Sequence, residues 1–338
     1  MQTIMQTYEG IEKKRLVEIL GKMKNVRVAV IGDICLDIYW RADMRLSELS
    51  RETPHYMLPI VEERMSPGGG GNVAANMAVL KPSKVHTIGV IGDDWRGAEL
   101  IKLLNASYID TSGLIPIPGR FTSTFCKPLR MGYSHVVYED PRLDFLNHEP
   151  LSEEIENMLT EELTKIAHKI DVLCISDQLP FGIITERLRK FINNLPKFGV
   201  TVIADSRERI NLFKDCIIKP NEIEGTKAAQ VEDFNEAALK LAKNREVVMT
   251  LGAGGSLYAE KGSLTHIPAR VVRGEIDIVG AGDSFLSGFA LATATGANRI
   301  EAASFAGLCS EVTIQKIGTT GTATAEEILE RYDKTHAN

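Results

Sequence analysis

Cysteine is scarce in this chain and follows no pattern. Cys35, Cys126, Cys174, Cys216 and Cys309 are the only five among 338 residues, and none stands in a C-x-x-C pair. That excludes a disulfide framework. Four of the five lie within or beside apolar runs, as buried thiols do in a reducing cytosol, so a cytoplasmic protein is expected. The seven histidines form no H-x-H or H-E-x-x-H pattern, and no zinc site is expected. No apolar run is long enough to span a membrane, and the N-terminus as far as Lys24 is too polar for a signal peptide. A long basic run is also missing and the net charge is −6, which argues against nucleic acid as a partner. What remains is a hydrophobic share of 44%, enough for a large globular core.

Short apolar runs alternate with amphipathic stretches along most of that core. Strands are predicted over residues 27–32, 85–92, 172–175, 200–204, 216–219 and 246–251, and helices over 11–23, 97–104, 183–194 and 234–243. This alternation implies an α/β fold, a doubly wound and mainly parallel sheet flanked by helices. Two strand-like patches fall outside it. One, over 52–63, is interrupted by Pro54 and Pro59, which demote it to an edge strand. The other covers 121–130 and 134–138. Together they predict a small β-sheet lid, from segments at about 40–63 and 120–140 inserted in one domain over 1–338. The lid is a candidate homodimer contact.

Polar residues gather where the predicted strands end, which is where open α/β sheets bind ligands. Asp33 and Asp37 follow the first strand, with Asp37 slightly ahead as a ligand contact. Gly68, Gly69, Gly70 and Gly71 read as a bare turn running into a helix, with Asn72 at its start able to reach hydroxyls. The segment lacks a buried strand before it, and Gly32 begins no G-x-G-x-x-G, so a dinucleotide-binding oxidoreductase is disfavoured. Asn221 and Glu224 follow a middle strand, and Thr250, Gly252 and Gly255 follow another.

The stretch Asp277-Ile278-Val279-Gly280-Ala281-Gly282-Asp283 carries the most chemistry. Its glycines permit a tight turn without side chains, and a helix then begins at Asp283. Free main-chain N–H groups and the positive end of the helix dipole therefore face one small space, which suits an anion. A carboxylate there repels that anion unless it has work to do. Asp283 reads as a general base set against a hydroxyl that attacks a phosphoryl group. The plain alternative is an N-cap, a role Asp fills well.

This ordered set resembles the ribokinase-like (PfkB) family of carbohydrate kinases from about Arg27 to Glu330. Within the family it is most similar to the kinase domain of the heptose-7-phosphate kinases, through Gly32-Asp33 with Leu36-Asp37, Gly68-Gly69 with Asn72 and Asn76, Arg142 with Asp144, Ser176-Asp177, and Lys316 with Gly318-Thr319. The nucleotidyltransferase domain that follows in bifunctional members is not expected after the final helix. The resemblance implies ATP and Mg²⁺, with Asp283 as base and Gly280, Ala281 and Gly282 as an anion hole. It implies that Asp33, Asp37, Gly68, Gly69 and Asn72 bind the acceptor. Asn221 and Glu224 would organise Mg²⁺, partly through water, and Thr250, Gly252 and Gly255 would lie along the nucleotide. Asp277 is a candidate K⁺ contact, as some relatives bind K⁺ beside the anion hole. Arg207 is a candidate phosphate contact, and Arg142 and Arg130 are candidates for an acceptor phosphate. Ile278 and Gly307 depart from the family pattern. The expected partner is a sugar or sugar phosphate. A nucleoside kinase using Tyr56 or Tyr133 to stack a base is an alternative, and so is a non-catalytic sugar- or nucleotide-binding regulatory protein on the same fold.

Overall fold

A computed structural model describes residues 5–134 and 136–336. In chain order the first half holds β1 (Met5–Thr7), α1 (Lys13–Lys22), β2 (Arg27–Gly32), β3 (Ile34–Asp43), β4 (Ile60–Gly69), α2 (Gly70–Ala78), β5 (Lys84–Gly92), α3 (Trp95–Ala106), β6 (Asp110–Ile117), β7 (Thr124–Met131), β8 (Tyr138–Glu139) and β9 (Leu143–Phe145). Then follow α4 (Glu153–Ala167), β10 (Val172–Asp177), α5 (Glu186–Ile192), β11 (Thr201–Ser206), β12 (Ile217–Ile218), α6 (Glu222–Ala229) and α7 (Phe234–Leu241). The last elements are β13 (Glu246–Thr250), β14 (Ser256–Glu260), β15 (Ser263–Ile267), α8 (Ala281–Ala294), α9 (Arg299–Thr313) and α10 (Ala325–His336).

Ten strands form the large sheet in the order β1-β15-β14-β13-β12-β11-β10-β2-β5-β6. Neighbours are parallel except where β14 meets β13 and β15. All six residues of β10 are buried, and so are five of the six in each of β2 and β11. Such unbroken burial is what a parallel sheet covered on both faces requires. From β2 and β10 the chain builds outward in opposite directions, so the sheet has a switch point there. At that point β2 approaches β10 closely: a Cβ on Gly32 (φ +150°) would fall 2.1 Å from the Ser176 carbonyl oxygen.

The small sheet has the order β4-β3-β7-β8, with β9 also paired to β7. Its strands are not those expected over 40–63. One residue after β2 the chain enters β3, so the sheet's central strand begins at Ile34. The alternation of Ile34, Leu36 and Ile38 toward the core sets that strand. Pro54 and Pro59 precede β4 rather than interrupt it, and Pro67 lies within it, tolerated because β4 is an edge. The glycine run is therefore not a bare turn: Gly68 and Gly69 end β4, and Gly70 and Gly71 begin α2. Only Tyr138 of the expected 134–138 strand is in β8, and His135 lies outside the described residues. The helix expected over 183–194 is shorter, because Thr185 caps it through the Leu188 N–H.

Candidate active site

Helix α8 starts two residues earlier than expected. Gly280 is its N-cap at φ +82°, in the left-handed region that glycine allows, and Asp283 lies in the first turn. The first intrahelical bond runs from the Ser284 N–H to the Gly280 carbonyl at 2.9 Å, and the Ala281 N–H turns back to the Ile278 carbonyl at 3.1 Å. The expected anion hole is thereby corrected at one position. Ala281 has its donor engaged, while Gly282 and Asp283 keep first-turn N–H groups without a main-chain acceptor among the described residues.

Asp283 is half-buried and ringed by protein. Burial raises its pKa, and Asp205 and Asp37 raise it further, against a hydrogen bond from Asn72 and the charge of Lys219; the result is about 7. The Asn72 Nδ2 donates to Asp283 Oδ2 at 2.7 Å. Asn72 is the third residue of α2, so the packing of α2 on α8 brings these two positions together from opposite ends of the chain. On the other side stands Lys219, 3% exposed and paired with Asp205 at 2.9 Å. A Cβ built on Gly282 would lie 3.9 Å from its Nζ. Burial works against the charge of Lys219, but Asp205 outweighs it and the pKa stands above the usual lysine value. Sequence reasoning missed Lys219; its signal was a cation closing the apolar run Cys216-Ile217-Ile218.

The two aspartates after β2 separate cleanly. Asp33 is 4% exposed and accepts from the Gln178 and Leu179 N–H groups at 2.8 Å and the Ile183 N–H at 3.1 Å. Burial pushes it up to about 6 against those donors. Both its oxygens hold the loop after β10, where the sequence placed Asp33 among the acceptor contacts. Asp37 lies within β3, opposite Ser66 and Phe125, and its side chain meets Gly68, where a Cβ would come 2.6 Å from Oδ1. Burial raises its pKa while Lys127 and Arg142 lower it. On the same face of the small sheet, one pair along, Tyr39 stands between Arg64 and Lys127. Arg64 lies over the Tyr39 ring at 4.4 Å and Lys127 at 4.8 Å. Arg142 is held bidentately by Asp144 at 2.6 and 2.7 Å and stacks on Phe125. Arg130 pairs with Asp140 at 2.7 Å. Among the described residues Lys127 has no carboxylate partner within 4 Å.

Asn221 and Glu224 cap α6 reciprocally: the Glu224 N–H donates to Asn221 Oδ1 at 2.8 Å and the Asn221 N–H to Glu224 Oε2 at 2.9 Å. Burial and Asp205 raise the Glu224 pKa. Each residue thus spends an oxygen on the cap, and Glu224 keeps its second. No group of three or more His, Cys, Asp or Glu that could hold a metal occurs among the described residues. A sparse donor set of this kind fits Mg²⁺, which takes few protein oxygens and keeps its waters. Thr250 bridges to Asn221 at the end of β13, and Gly252 and Gly255 follow in the next turn. Arg207 is exposed beside Glu224, Glu208 and Lys227. Asp277 has both carboxylate oxygens engaged, by the Val279 N–H at 3.0 Å and the Gly318 N–H at 2.9 Å. It therefore ties the loop before α8 to residue 318, and Arg64 of β4 reaches the Gly318 carbonyl from the small sheet.

This fold has parallels among solved structures. Solved structures similar to the chain include Arabidopsis thaliana ribokinase complexed with ribose and ATP, with a TM-score of 0.67 at 19% identity over 91% of this chain and 98% of that one. Escherichia coli phosphofructokinase-2 in complex with substrates and products gives 0.72 at 22% identity, over 92% and 99%. Among curated relatives, the "Bifunctional protein HldE" of Geobacter metallireducens is 28% identical over 94% of this chain and 65% of its own length. That of Hyphomonas neptunium is 32% identical over 93% and 65%. The chain thus spans about two thirds of the length of these relatives. The family model described as "pfkB family carbohydrate kinase" matches residues 27–326. With that match covering nearly all of the sheet and the whole of the α8 site, the chain belongs to the pfkB family of carbohydrate kinases.

Proposed function

We propose that this protein transfers the γ-phosphoryl group of ATP to a hydroxyl of a sugar or sugar phosphate bound between the small sheet and the start of α8. The acceptor oxygen bonds to phosphorus as the β–γ bridge breaks, Asp283 takes the hydroxyl proton, and ADP leaves. The observation that carries this reading is a carboxylate held near neutrality, at about 7, in the first turn of a helix whose amides point at the same space. Amides fixed there stabilise charge on the transferring group without reorganising, which is most of what phosphoryl transfer asks of a protein.

Asp37, Gly68, Gly69 and Asn72 form the acceptor side. Thr250, Gly252, Gly255 and Arg207 line the nucleotide side. Mg²⁺, held through water by Asn221 and the second oxygen of Glu224, would neutralise the phosphates. K⁺ would sit beside the loop tied by Asp277 and would take main-chain carbonyls there, since the Asp277 carboxylate is engaged. Lys127, next along the sheet face from Asp37 and, among the described residues, without a carboxylate within 4 Å, favours an acceptor that already carries a phosphate. A nucleoside acceptor is less well supported. Tyr39 is flanked by two cations, and Tyr56 and Tyr133 are 70% and 83% exposed.

We read residues 1–338 as one kinase unit with the small sheet as its lid. Exposed Leu46, Leu49, Met57, Leu58, Ile60 and Val61 beside the β4 edge support a homodimer through that sheet, a proposal that a monomer at all concentrations in solution would remove. Five buried free thiols fit a cytoplasmic setting, and no described helix is long and apolar enough to cross a membrane. The deciding experiment is a panel of sugars and their phosphates with ATP and Mg²⁺, read as ADP release, on the native chain and Lys127→Met. Turnover of a sugar phosphate, weakened at least tenfold in kcat/KM by Lys127→Met, is expected. No turnover with any acceptor would point instead to a non-catalytic binding protein.

A further inference from the structure

Asn76 is 3% exposed in α2, one helical turn after Asn72, with Val73, Ala74 and Met77 buried around it. Its Nδ2 donates to the Asn72 main-chain carbonyl at 3.0 Å and to Asn72 Oδ1 at 3.2 Å. Its own Oδ1 is buried with no hydrogen-bond partner among the described residues. A buried acceptor left unsatisfied is destabilising, and a residue of similar size without polar atoms would avoid it. The polar side chain therefore needs a reason other than stability.

We infer that Asn76 is a positioning residue for the proton acceptor, acting by fixing which end of the Asn72 carboxamide faces Asp283. The inference rests on the reading of Asp283 as the base. A carboxamide has a donor end and an acceptor end of nearly the same shape. Turning Asn72 over would set its oxygen 2.7 Å from a carboxylate oxygen and its NH₂ against the NH₂ of Asn76. Turning Asn76 over would set its oxygen against two acceptors of Asn72. Only the observed pair of orientations satisfies both contacts, and the unsatisfied oxygen of Asn76 is its consequence. The distance between Asn72 and Asp283 is held separately, because Ser287 Oγ reaches the Val73 carbonyl at 2.8 Å and the Asp283 carbonyl at 2.7 Å, pinning α8 to α2.

Without Asn76 only the charge of Asp283 orients the Asn72 amide; once Asp283 is protonated the amide can turn and accept from its hydroxyl, so the neutral form gains a hydrogen bond that Asn76 otherwise forbids. The other groups facing Asp283 are Asp205 and Lys219 near the ends of β11 and β12, and Asp37 and Cys35 on β3. None of them changes on substitution at 76. The test uses the full chain carrying carboxyl-labelled Asp, with the Asp283 signal assigned by its loss in Asp283→Asn and followed against pH by NMR. Asn76→Leu is expected to move the midpoint of that signal upward by about one pH unit, the order of one hydrogen bond gained by the neutral form. Its melting temperature is expected to be unchanged or higher. If Asn76→Leu does not fold, Asn76→Ala takes its place. A folded variant with an unmoved midpoint overturns the inference, and a lowered melting temperature with that unmoved midpoint identifies a packing residue. The base reading fails by a separate observation, turnover that survives in Asp283→Asn.

Discussion

Replacing Asp283 with Asn removes one proton acceptor and leaves the shape of the site nearly unchanged. The Asn72 Nδ2 that now donates to Asp283 at 2.7 Å can donate to the new amide oxygen instead. Losing a positioned base lowers the rate on the order of 100- to 10,000-fold. The structure adds a pH dependence to that range. With the Asp283 pKa at about 7, kcat/KM of the native enzyme should fall about tenfold per unit below pH 7 and level off above about pH 8. At pH 5 only about 1% of the carboxylate is ionised. The gap between native and Asp283→Asn should therefore shrink about 100-fold between pH 8 and pH 5. Stability should move with the opposite sign. The folded pKa lies above the ordinary value of 3.8, so the folded chain binds this proton more tightly than the unfolded chain does. The stabilisation is full below about 3.8 and is lost as pH rises through about 7. Asn does not titrate, so Asp283→Asn should melt higher than native at pH 8, with the difference vanishing near pH 4. ADP release and thermal melting across pH test both limbs. Unchanged turnover at pH 8, or a gap of constant size down to pH 5, would refute the assignment.

Three further outcomes follow from the same geometry. Asp33→Ala strips the acceptor from three main-chain N–H groups, each worth about 1–3 kcal/mol when buried and unsatisfied. Urea unfolding should show the loss, while the acceptor KM of the folded fraction should hardly change. Asp37→Asn should do the reverse, raising the acceptor KM at least tenfold with little effect on stability or on the KM for ATP, as steady-state kinetics in each substrate would show. Glu224→Gln keeps an oxygen to accept from the Asn221 N–H, so it should raise the Mg²⁺ concentration needed for half-maximal rate with little change in melting temperature; an unchanged Mg²⁺ titration would mean that Glu224 only caps α6.

Much of this site was legible before folding because its chemistry is built from consecutive residues. The run from Gly280 to Asp283 needs only a tight turn and a helix start to set the Gly282 and Asp283 N–H groups beside a carboxylate, and turn and helix start are local properties of the chain. The β2, β10 and β11 strands were legible for a similar reason, since burial on both faces leaves an unbroken apolar run. The pair Asn221 and Glu224 was legible but double-valued, because the spacing that closes a capping box also places two oxygens at a strand end.

Tertiary structure decided what spacing could not. Asp33 and Asp37 are the same residue type four positions apart, and only the passage of the chain from the large sheet into the small one at Ile34 gives the first to a loop's amides and leaves the second facing Gly68. Lys219 looks like an ordinary strand-end cation until α8 packs over it and Asp205 neutralises it. Asn72 and Asp283 are 211 residues apart. Local sequence can dictate which backbone donors a segment exposes, because those depend on neighbours along the chain. The acidity of a carboxylate depends on what surrounds it in space, and that surrounding comes from segments whose order in the sequence says nothing of their distance.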